Sequence, residues 1–447
     1  MRAADTIFAL STAPGRAGIA VIRISGPLAE PAMRELVGDV PEPRRATFVE
    51  IRNPMNGELL DRGLVLWFPA PRSFTGEDVA EFHVHGGRAS VQGILDVLTA
   101  AEGLRPAEPG EFTRRAFESG KMDLAATEAL ADLIEAETAA QRRQALRGLE
   151  DGIGRRADDW RERLIEALAL AEAEIDFPDE GDVPTGLVSR GAQLAHRLAD
   201  EMAQVLAQPG GERLREGATI VIAGPPNAGK SSFLNRIARR DVAIVSPHAG
   251  TTRDMLEVAL DLGGYPATLV DTAGLRDTDD PVEQEALRRA TSRAERADLV
   301  LWFEDASADA GAEAADPGAA DATGAVPRWR VRNKIDLAGG QGTPGATPHF
   351  RISALTGQGV DDLLRTLQNW LRSEFAPTES SLITRARHRS ALIEADAHLR
   401  RAAEHGTPPE IIAEELRLSA RALGRISGLV DAEQVLDAIF GSFCIGK

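Results

Sequence analysis

The chain has 447 residues, of which 43% are hydrophobic and 27% are charged, and its formal net charge is −18. This length predicts several domains, and because no apolar run approaches the ~18 residues of a membrane span, we expect no membrane association. The negative charge argues against a general electrostatic attraction to nucleic acid, so any RNA contact needs local arginine patches or a partner protein. Cys444 is the single cysteine and residues 1–5 lack the layout of a secretion signal, which predicts a reducing, cytoplasmic environment.

The first 120 residues predict an α+β domain. Apolar runs at Ile19–Ile24 and Leu64–Phe68 are typical of strands. His83 and His85 would share one face of a further strand, but no third ligand lies close to them, so we assign no metal site there. A turn at Gly86 and Gly87 leads into an amphipathic helix with apolar positions at Val91, Ile94, Leu95 and Leu98.

Helical periodicity replaces this pattern from Lys121 onward. Apolar residues recur every three or four positions from Leu146 to Ile175, which predicts one long helix that Asp176–Asp179 ends. We interpret its apolar stripe as packing. A second helical stretch follows and reaches about residue 208.

Strands and helices alternate from Ala218 to about Phe375, as in a domain built from β-α-β units. Within it, residues 305–327 contain neither lysine nor arginine and predict a surface loop. The helical pattern returns after Pro377. The sequence therefore predicts an N-terminal α+β domain at 1–120, a discontinuous all-α helical domain at 121–214 and 376–447, and an inserted α/β domain at 215–375.

A phosphate-binding loop, Gly224–Ser231, opens the inserted domain. It follows the predicted strand Thr219–Ala223 and precedes a helix, which is the context that this motif requires. Backbone N–H groups would converge on the β-phosphate at the helix N-terminus. Lys230 would bridge the β- and γ-phosphates, and the Ser231 hydroxyl would bind Mg²⁺.

Two later motifs complete a Mg²⁺ site. Thr252, within Gly250–Asp254, would supply a second hydroxyl to the ion. Asp271 begins Asp271–Gly274 and would hold the Mg²⁺ shell through water. The ordered succession of these motifs predicts a GTPase.

Guanine selection is predicted for Asn333–Asp336. The Asp336 carboxylate would accept hydrogen bonds from guanine N1–H and the 2-amino group, whereas adenine would leave a buried carboxylate unpaired. Ser353 and Ala354 would offer a backbone N–H to the guanine oxygen. The predicted GTP contacts are Asn227, Ala228, Gly229, Lys230, Ser231, Ser232, Ser246, Thr251, Thr252, Asp271, Thr272, Ala273, Gly274, Asn333, Lys334, Asp336, Ser353, Ala354 and Leu355.

Ras-like GTPases orient the attacking water with a glutamine, and Leu275 occupies that position here. Hydrolysis of GTP therefore needs another group to orient the water. Glu283 would polarise the attacking water through a second water, although an acid at the start of a solvated helix explains it equally well. A monovalent cation beside the phosphates would replace an arginine finger. Its predicted ligands are Asn227, Ser246, His248 and Thr251. Asn227 and Lys230 would thus act in catalysis as well as in binding.

Lysine is rare in this chain: only Lys121, Lys230, Lys334 and Lys447 occur among 51 basic residues. The compact lysine ammonium is not interchangeable with a planar guanidinium. Since Lys230 and Lys334 belong to the GTP motifs, Lys121 and Lys447 become candidates for a second site, against the alternative that they persist by chance. Lys447 ends a tail in which Cys444 is either a catalytic residue or merely packed; the tail is not a prenylation signal.

From end to end the chain resembles the MnmE (TrmE) family of GTPases that modify the wobble uridine of tRNA. The resemblance rests on Pro14–Arg16, Arg23–Gly26, Phe74–Gly87, Pro109–Phe117, Lys121–Leu124, Ile175–Asp179, Gly224–Ser231, Gly250–Asp254, Asp271–Leu275 and Cys444–Lys447. It implies the architecture predicted above, with a Ras-like P-loop GTPase domain as the insertion and a homodimer formed through the N-terminal domains. It also implies that 5,10-methylene- or 5-formyl-tetrahydrofolate binds at the positions matching Arg23, Glu81, Lys121 and Lys447.

The resemblance further implies a reaction and its partners. In the family, the flavoprotein MnmG (GidA) joins in a hetero-oligomer and helps to install an aminomethyl-type group, of the carboxymethylaminomethyl class, at C5 of the wobble uridine. The resemblance also implies that the GTPase domains dimerise in a K⁺-dependent manner. This chain departs from the family pattern at Pro225, Ser246, His248 and Leu355. If backbone oxygens hold the cation, the changes at Ser246 and His248 matter little.

Two other functions remain open at this point. A GTPase switch for RNA or ribosome assembly would need an RNA-binding module, such as a KH domain with its Gly-x-x-Gly loop, and the sequence after residue 376 contains none. A nucleotide-gated scaffold would give no special role to Cys444 or Lys447.

Overall fold

The computed structural model describes residues 5–176, 186–208, 211–244, 257–271, 297–307, 326–337, 349–376, 381–430, 433–443 and 446. The chain forms two compact units. One contains residues 1–131, 148–196 and 397–447, and the other contains residues 132–147 and 197–396. Among the helices of the described ranges, none combines the length and apolarity needed to cross a membrane.

A six-stranded sheet organises the N-terminal α+β domain. The strands are β1 Thr6–Leu10, β2 Ala17–Ser25, β3 Thr47–Arg52, β4 Leu59–Phe68, β5 Val79–Gly86 and β6 Leu104–Pro106, and the helices are α1 Ala29–Val37, α2 Arg88–Ala100 and α3 Glu111–Glu118. The strand order is β3-β4-β5-β2-β1-β6, with β1 and β6 parallel and the other neighbours antiparallel. Ile22, Met33, Phe82 and Ile94 lie in the core between the sheet and helices α1 and α2. The two predicted strands and the predicted helix of this domain are confirmed.

Helices lie on both sides of the inserted domain in sequence. They are α4 Leu124–Glu135, α5 Ala139–Asp151, α6 Ile153–Asp176, α7 Leu187–Leu206 and α8 Glu212–Glu216 before the phosphate loop, and α11 Ala386–Ala402, α12 Pro409–Ser427 and α13 Glu433–Ser442 after it. Helices α6 and α12 pack against each other. In α6, Trp160 and Leu164 are fully buried, so the interpretation of the apolar stripe as packing is confirmed there.

The prediction of one continuous helix from Leu146 to Ile175 is wrong. The chain breaks at Gly152, where α5 has ended at Asp151 and α6 has not yet begun. A Cβ atom at Gly152 would overlap the Gly148 carbonyl oxygen, so this close approach of the backbone to itself requires glycine. The apolar spacing continues across the break, and periodicity alone therefore could not reveal it.

The inserted domain is a mostly parallel α/β fold. Its strands are β7 Ala218–Ala223, β8 Glu257–Leu262, β9 Tyr265–Asp271, β10 Leu299–Asp305, β11 Arg328–Asn333 and β12 His349–Arg351, and its helices are α9 Lys230–Ile237 and α10 Val360–Phe375. The order is β12-β11-β10-β7-β9-β8, and only β8 is antiparallel to its neighbour. Phe233 of α9 and Leu367 of α10 are buried in its core. The carboxyl ends of β7, β9 and β11 thereby meet at one edge, where nucleotide sites of such folds lie.

Candidate functional site

The phosphate loop joins β7 to α9 in a conformation that requires glycine at two positions. Gly224 has φ +136°, and a Cβ atom there would overlap the Phe303 carbonyl oxygen. Gly229 has φ +88°, and a Cβ atom there would overlap the Asn333 amide nitrogen. Asn227 also adopts a positive φ of 62°, which asparagine tolerates better than most residues. The loop therefore wraps closely, as the sequence predicts.

Lys230 turns its ammonium back into this loop. Its Nζ donates to the carbonyl oxygens of Gly224 at 2.8 Å and Pro225 at 2.9 Å. Burial lowers the pKa of Lys230, and the nearby Asp271 carboxylate partly offsets that effect. A phosphate entering the loop would provide the anionic partner that favours the charged ammonium.

Ser231 and Asp271 come together as the Mg²⁺ prediction requires. The Ser231 hydroxyl donates to Asp271 Oδ2 at 2.9 Å, and the Asp271 residue is 2% exposed. Mg²⁺ prefers such hard oxygen ligands and keeps several waters. These two side chains fit the ion: Ser231 would bind it directly, and Asp271 would hold its waters.

Asn333 connects the phosphate loop to the segment predicted to contact guanine. Its Nδ2 donates to the Ala228 carbonyl oxygen at 2.8 Å, and its Oδ1 accepts from the Ala354 N–H at 2.9 Å. The Ala354 N–H, which we expected to serve the guanine oxygen, is thus used by Asn333. The N–H of Leu355, whose residue is 77% exposed, is the adjacent backbone donor.

The remaining residues of this motif are half-buried at Lys334 and Ile335 and exposed at Asp336. Lys334, with φ +64°, donates to Asp305 Oδ2 at 2.6 Å. Although burial opposes it, this hydrogen bond and those from Ser307 hold the pKa of Asp305 below its usual range. The exposure of Asp336 differs from the buried carboxylate that its predicted role requires. Asp305 was missed, and only its position at the end of β10, next to β11, could have indicated it.

Several predicted site residues lie outside the described ranges. They are Ser246, His248, Thr251, Thr252, Thr272, Ala273, Gly274, Glu283, Cys444 and Lys447. The predicted roles of these residues in Mg²⁺ binding, cation binding and water activation stay predictions. Of the proposed cation ligands, only Asn227 is described.

Arg23 and Glu81, two of the predicted folate residues, face each other on neighbouring strands β2 and β5. Arg23 donates through Nε at 2.9 Å and Nη2 at 2.8 Å to Glu81 Oε1. His83 Nε2 lies 3.2 Å from Glu81 Oε2. Since a carboxylate offers about four acceptor positions, Glu81 keeps capacity for a ligand beside both partners.

Aromatic rings surround the Arg23 guanidinium. Its carbon lies 5.4 Å from the Phe74 ring centre and 5.6 Å from the Phe112 ring centre. A Cβ atom at Gly76 would lie 3.3 Å from Lys121 Cε, so the third predicted folate residue lies against the loop that carries Phe74. Both phenylalanines were within motifs singled out in the sequence but were not assigned to the site; the density of aromatics in those motifs was the available signal.

The C-terminal tail contacts the same domain at Gly446. The Ser11 hydroxyl donates to the Gly446 carbonyl oxygen at 2.9 Å. Gly446 has φ +98°, and a Cβ atom there would overlap the Leu10 carbonyl oxygen. The tail therefore docks at the end of β1, one residue before Lys447.

The two histidines of β5 each have a carboxylate partner. His83 contacts Glu81, and His85 Nδ1 lies 2.8 Å from Asp61 Oδ1. Within the described residues, no group of three or more His, Cys, Asp or Glu side chains is arranged to hold a metal ion.

Comparison with known proteins identifies similar chains over the full length. Residues 6–121 match the family model of the GTP-binding protein TrmE N-terminus, and residues 124–444 match that of the MnmE helical domain. The tRNA modification GTPase MnmE of Rhodopseudomonas palustris is 56% identical over 446 residues, covering 99% of each chain. Its counterpart from Parvibaculum lavamentivorans is 52% identical and covers 99% of this chain and 100% of that one. The G domain of the FeoB iron transporter of T. maritima is 20% identical, covers 34% of this chain and 98% of that one, and has a TM-score of 0.23.

Proposed function

Because the chain belongs to the MnmE family of tRNA modification GTPases, we propose that it couples GTP hydrolysis to the addition of an aminomethyl-type group at C5 of the wobble uridine in certain tRNAs. The product belongs to the carboxymethylaminomethyl class. The one-carbon unit comes from 5,10-methylene- or 5-formyl-tetrahydrofolate, and a flavoprotein of the MnmG (GidA) type completes the reaction. The observation that carries the proposal is a set of hydrogen bonds that joins three parts of the chain into one site. Ser231 links the phosphate loop to Asp271, and Asn333 links the loop to residues 353–358, which we call the guanine segment.

The nucleotide site supports GTP hydrolysis with Mg²⁺ and K⁺. Lys230 and Ser231 would bind the phosphates and Mg²⁺, while Asp336 would read the guanine edge. The apolar side chain of Leu275 cannot orient water, so we assign that step to Glu283. Asn227 in the phosphate loop would help to hold K⁺, which supplies the charge of an arginine finger.

The N-terminal domain supports folate binding. A pterin ring presents the same amino-oxo-pyrimidine edge as guanine, and Glu81 is a carboxylate with free acceptor capacity beside Arg23. The flat ring would lie among Phe74 and Phe112, which already surround the guanidinium. Lys121 and Lys447 would bind the anionic end of the carrier, and docking of Gly446 at Ser11 brings the tail to this domain.

Exposed apolar side chains support a homodimer through the N-terminal domain. Phe48 on β3 and Leu64 on β4 are directly opposite each other, and they are 68% and 41% exposed. Large apolar side chains adjacent on an open sheet are typical of protein–protein interfaces. We place this assembly in the cytoplasm, where tRNA, the flavoprotein and reduced Cys444 coexist.

Reconstitution with purified components tests this proposal. The assay contains the protein, the flavoprotein, GTP, Mg²⁺, 5,10-methylene-tetrahydrofolate, tRNA with an unmodified wobble uridine, and either ammonium or glycine as the amine. Mass spectrometry of the nucleosides should detect a C5-substituted uridine only when every component is present, and replacing K⁺ by Na⁺ should slow GTP hydrolysis and product formation together. Product formed equally well without folate or without GTP would contradict the proposal. A chain that hydrolyses GTP but never alters tRNA would instead favour an RNA or ribosome assembly factor.

A further inference from the structure

Arg236 of helix α9 lies six residues after Lys230, and its side chain donates two hydrogen bonds to the guanine segment. Its Nε donates to the Ala354 carbonyl oxygen and its Nη2 donates to the Leu355 carbonyl oxygen. One planar guanidinium thus holds two successive carbonyl groups, a fork that a lysine ammonium does not reproduce. A Cβ atom at Gly357 would lie 2.9 Å from Nη1, so the segment closes around the side chain.

The hydrogen bond to the Ala354 carbonyl determines the direction in which the Leu355 N–H points. The Ala354 carbonyl and the Leu355 N–H belong to one planar trans peptide unit and point in opposite directions. Fixing the carbonyl on Arg236 therefore fixes the N–H away from α9. Leu355 is 77% exposed, so packing of its own side chain contributes little to holding this peptide.

The neighbouring N–H groups of the guanine segment donate to other acceptors, and Arg236 orients the Leu355 N–H. The Ala354 N–H donates to Asn333 Oδ1 at 2.9 Å, and the Thr356 N–H donates to the Ser353 hydroxyl at 3.0 Å. The Ser353 N–H donates to the Gln358 carbonyl oxygen at 2.9 Å. Three of these four successive N–H groups thus donate to other residues of the chain, and the fourth, that of Leu355, is oriented through the carbonyl that Arg236 binds.

We propose that Arg236 is a positioning residue for guanine recognition, which aims the Leu355 N–H at the 6-oxo group of the base. This inference rests on the proposed GTP site and adds a specificity-determining residue to it. Asp336 reads the N1–H and 2-amino side of guanine, whereas Arg236 acts through the backbone on the opposite, 6-oxo side. The two sides of the base are therefore read by separate parts of the chain.

The test compares GDP with two analogues that each alter one side of the base. Inosine diphosphate retains the 6-oxo group but lacks the 2-amino group, and 6-thioguanosine diphosphate retains the 2-amino group but carries a poorer sulfur acceptor. Arg236→Ala should weaken GDP and inosine diphosphate equally, by roughly tenfold, because a misdirected N–H forfeits about one hydrogen bond. It should weaken 6-thioguanosine diphosphate by a clearly smaller factor, and Arg236→Lys should recover only part of the GDP affinity.

Arg239→Ala is the matched control. Arg239 follows α9, is exposed, and makes no side-chain hydrogen bond or ion pair with the described residues, so its removal should leave all three affinities unchanged. Equal weakening of all three nucleotides by Arg236→Ala, or no change in GDP affinity, would overturn the inference while leaving the proposed function intact. If the unaltered protein does not bind GDP in preference to the analogues, the guanine site itself is wrong and the inference falls with it.

Discussion

Individual side chains of the phosphate loop are held by hydrogen bonds within the chain. Lys230 donates to two loop carbonyl oxygens, and the Ser231 hydroxyl donates to Asp271. These bonds satisfy polar groups that burial would otherwise penalise. We therefore expect a nucleotide that enters the loop to replace existing hydrogen-bond partners of Lys230 and Ser231.

Replacement of Asp336 by asparagine tests whether this carboxylate selects guanine. The amide presents a donor where guanine N1–H and the 2-amino group need an acceptor, so Asp336→Asn should weaken GDP binding on the order of a hundredfold. Xanthosine diphosphate, which carries an oxygen at that position, should bind better to the variant than to the original chain. Because Asp336 is exposed, its replacement should leave thermal stability unchanged. Unaltered affinity for GDP would show that guanine is recognised elsewhere.

At the scale of elements, Asp123 at the start of α4 combines a helix cap with an unfavourable charge. Its Oδ1 accepts from the Ala126 N–H at 2.7 Å, as an N-cap does. Burial raises the pKa of Asp123 above its ordinary value of 3.8, and the nearby Asp158 carboxylate raises it further. A Cβ atom at Gly154 would overlap the Asp123 carboxylate, so α6 leaves it no room to move.

Asp123→Asn should therefore stabilise the protein at neutral pH. A folded-state pKa above the unfolded value means that the folded protein binds the proton more tightly, so this side chain contributes less stability as pH rises above about 3.8. The amide keeps the cap acceptor without the charge, for a gain of roughly 1 kcal/mol or less. Asp123→Ala loses the cap and should cost about 1 kcal/mol. Thermal unfolding from pH 4 to pH 8 checks both; an asparagine advantage that does not shrink toward pH 4 would argue against the charge as its cause.

How far the sequence predicts these elements depends on how local their causes are. The phosphate loop and β7 follow from a short motif whose glycines and lysine act on their immediate neighbours, and the structure contains them. The break at Gly152 depends on contact with Gly148 that apolar spacing does not encode. Two hydrogen bonds of the guanine segment join residues far apart in sequence. Asn333 accepts from the Ala354 N–H about 20 positions away, and Arg236 donates to the Ala354 carbonyl about 120 positions away. No local sequence pattern predicts such contacts.

At the scale of the whole molecule, the two candidate sites belong to different compact units. Arg23, Glu81 and Lys121 lie in the unit with the N-terminal domain, and the phosphate loop lies in the other. Residues 139–147 of helix α5 belong to the second unit, where the Ala140 N–H donates to the Gly264 carbonyl oxygen. The predicted boundaries near residues 120, 214 and 375 stay predictions.

Conservative replacements of Lys121 and Lys447 should separate GTP hydrolysis from tRNA modification. Lys121→Arg and Lys447→Arg keep the charge but replace a compact ammonium with a planar fork. Lys121 is exposed, so its replacement should change stability by no more than about 0.5 kcal/mol. Both variants should hydrolyse GTP normally but bind tetrahydrofolate more weakly and modify less tRNA. Normal folate affinity and normal modification in both would remove the lysines from the second site.

Analysis of the wobble nucleoside in tRNA from cells that lack this protein tests the central claim most directly. Cells without the chain should lose the C5-substituted wobble uridine, and the unaltered chain should restore it. Lys230→Ala, which removes the phosphate-binding ammonium, should not restore it even when the protein accumulates normally. Wobble uridines that remain fully modified without the chain would contradict a role in tRNA modification, whatever its GTPase activity.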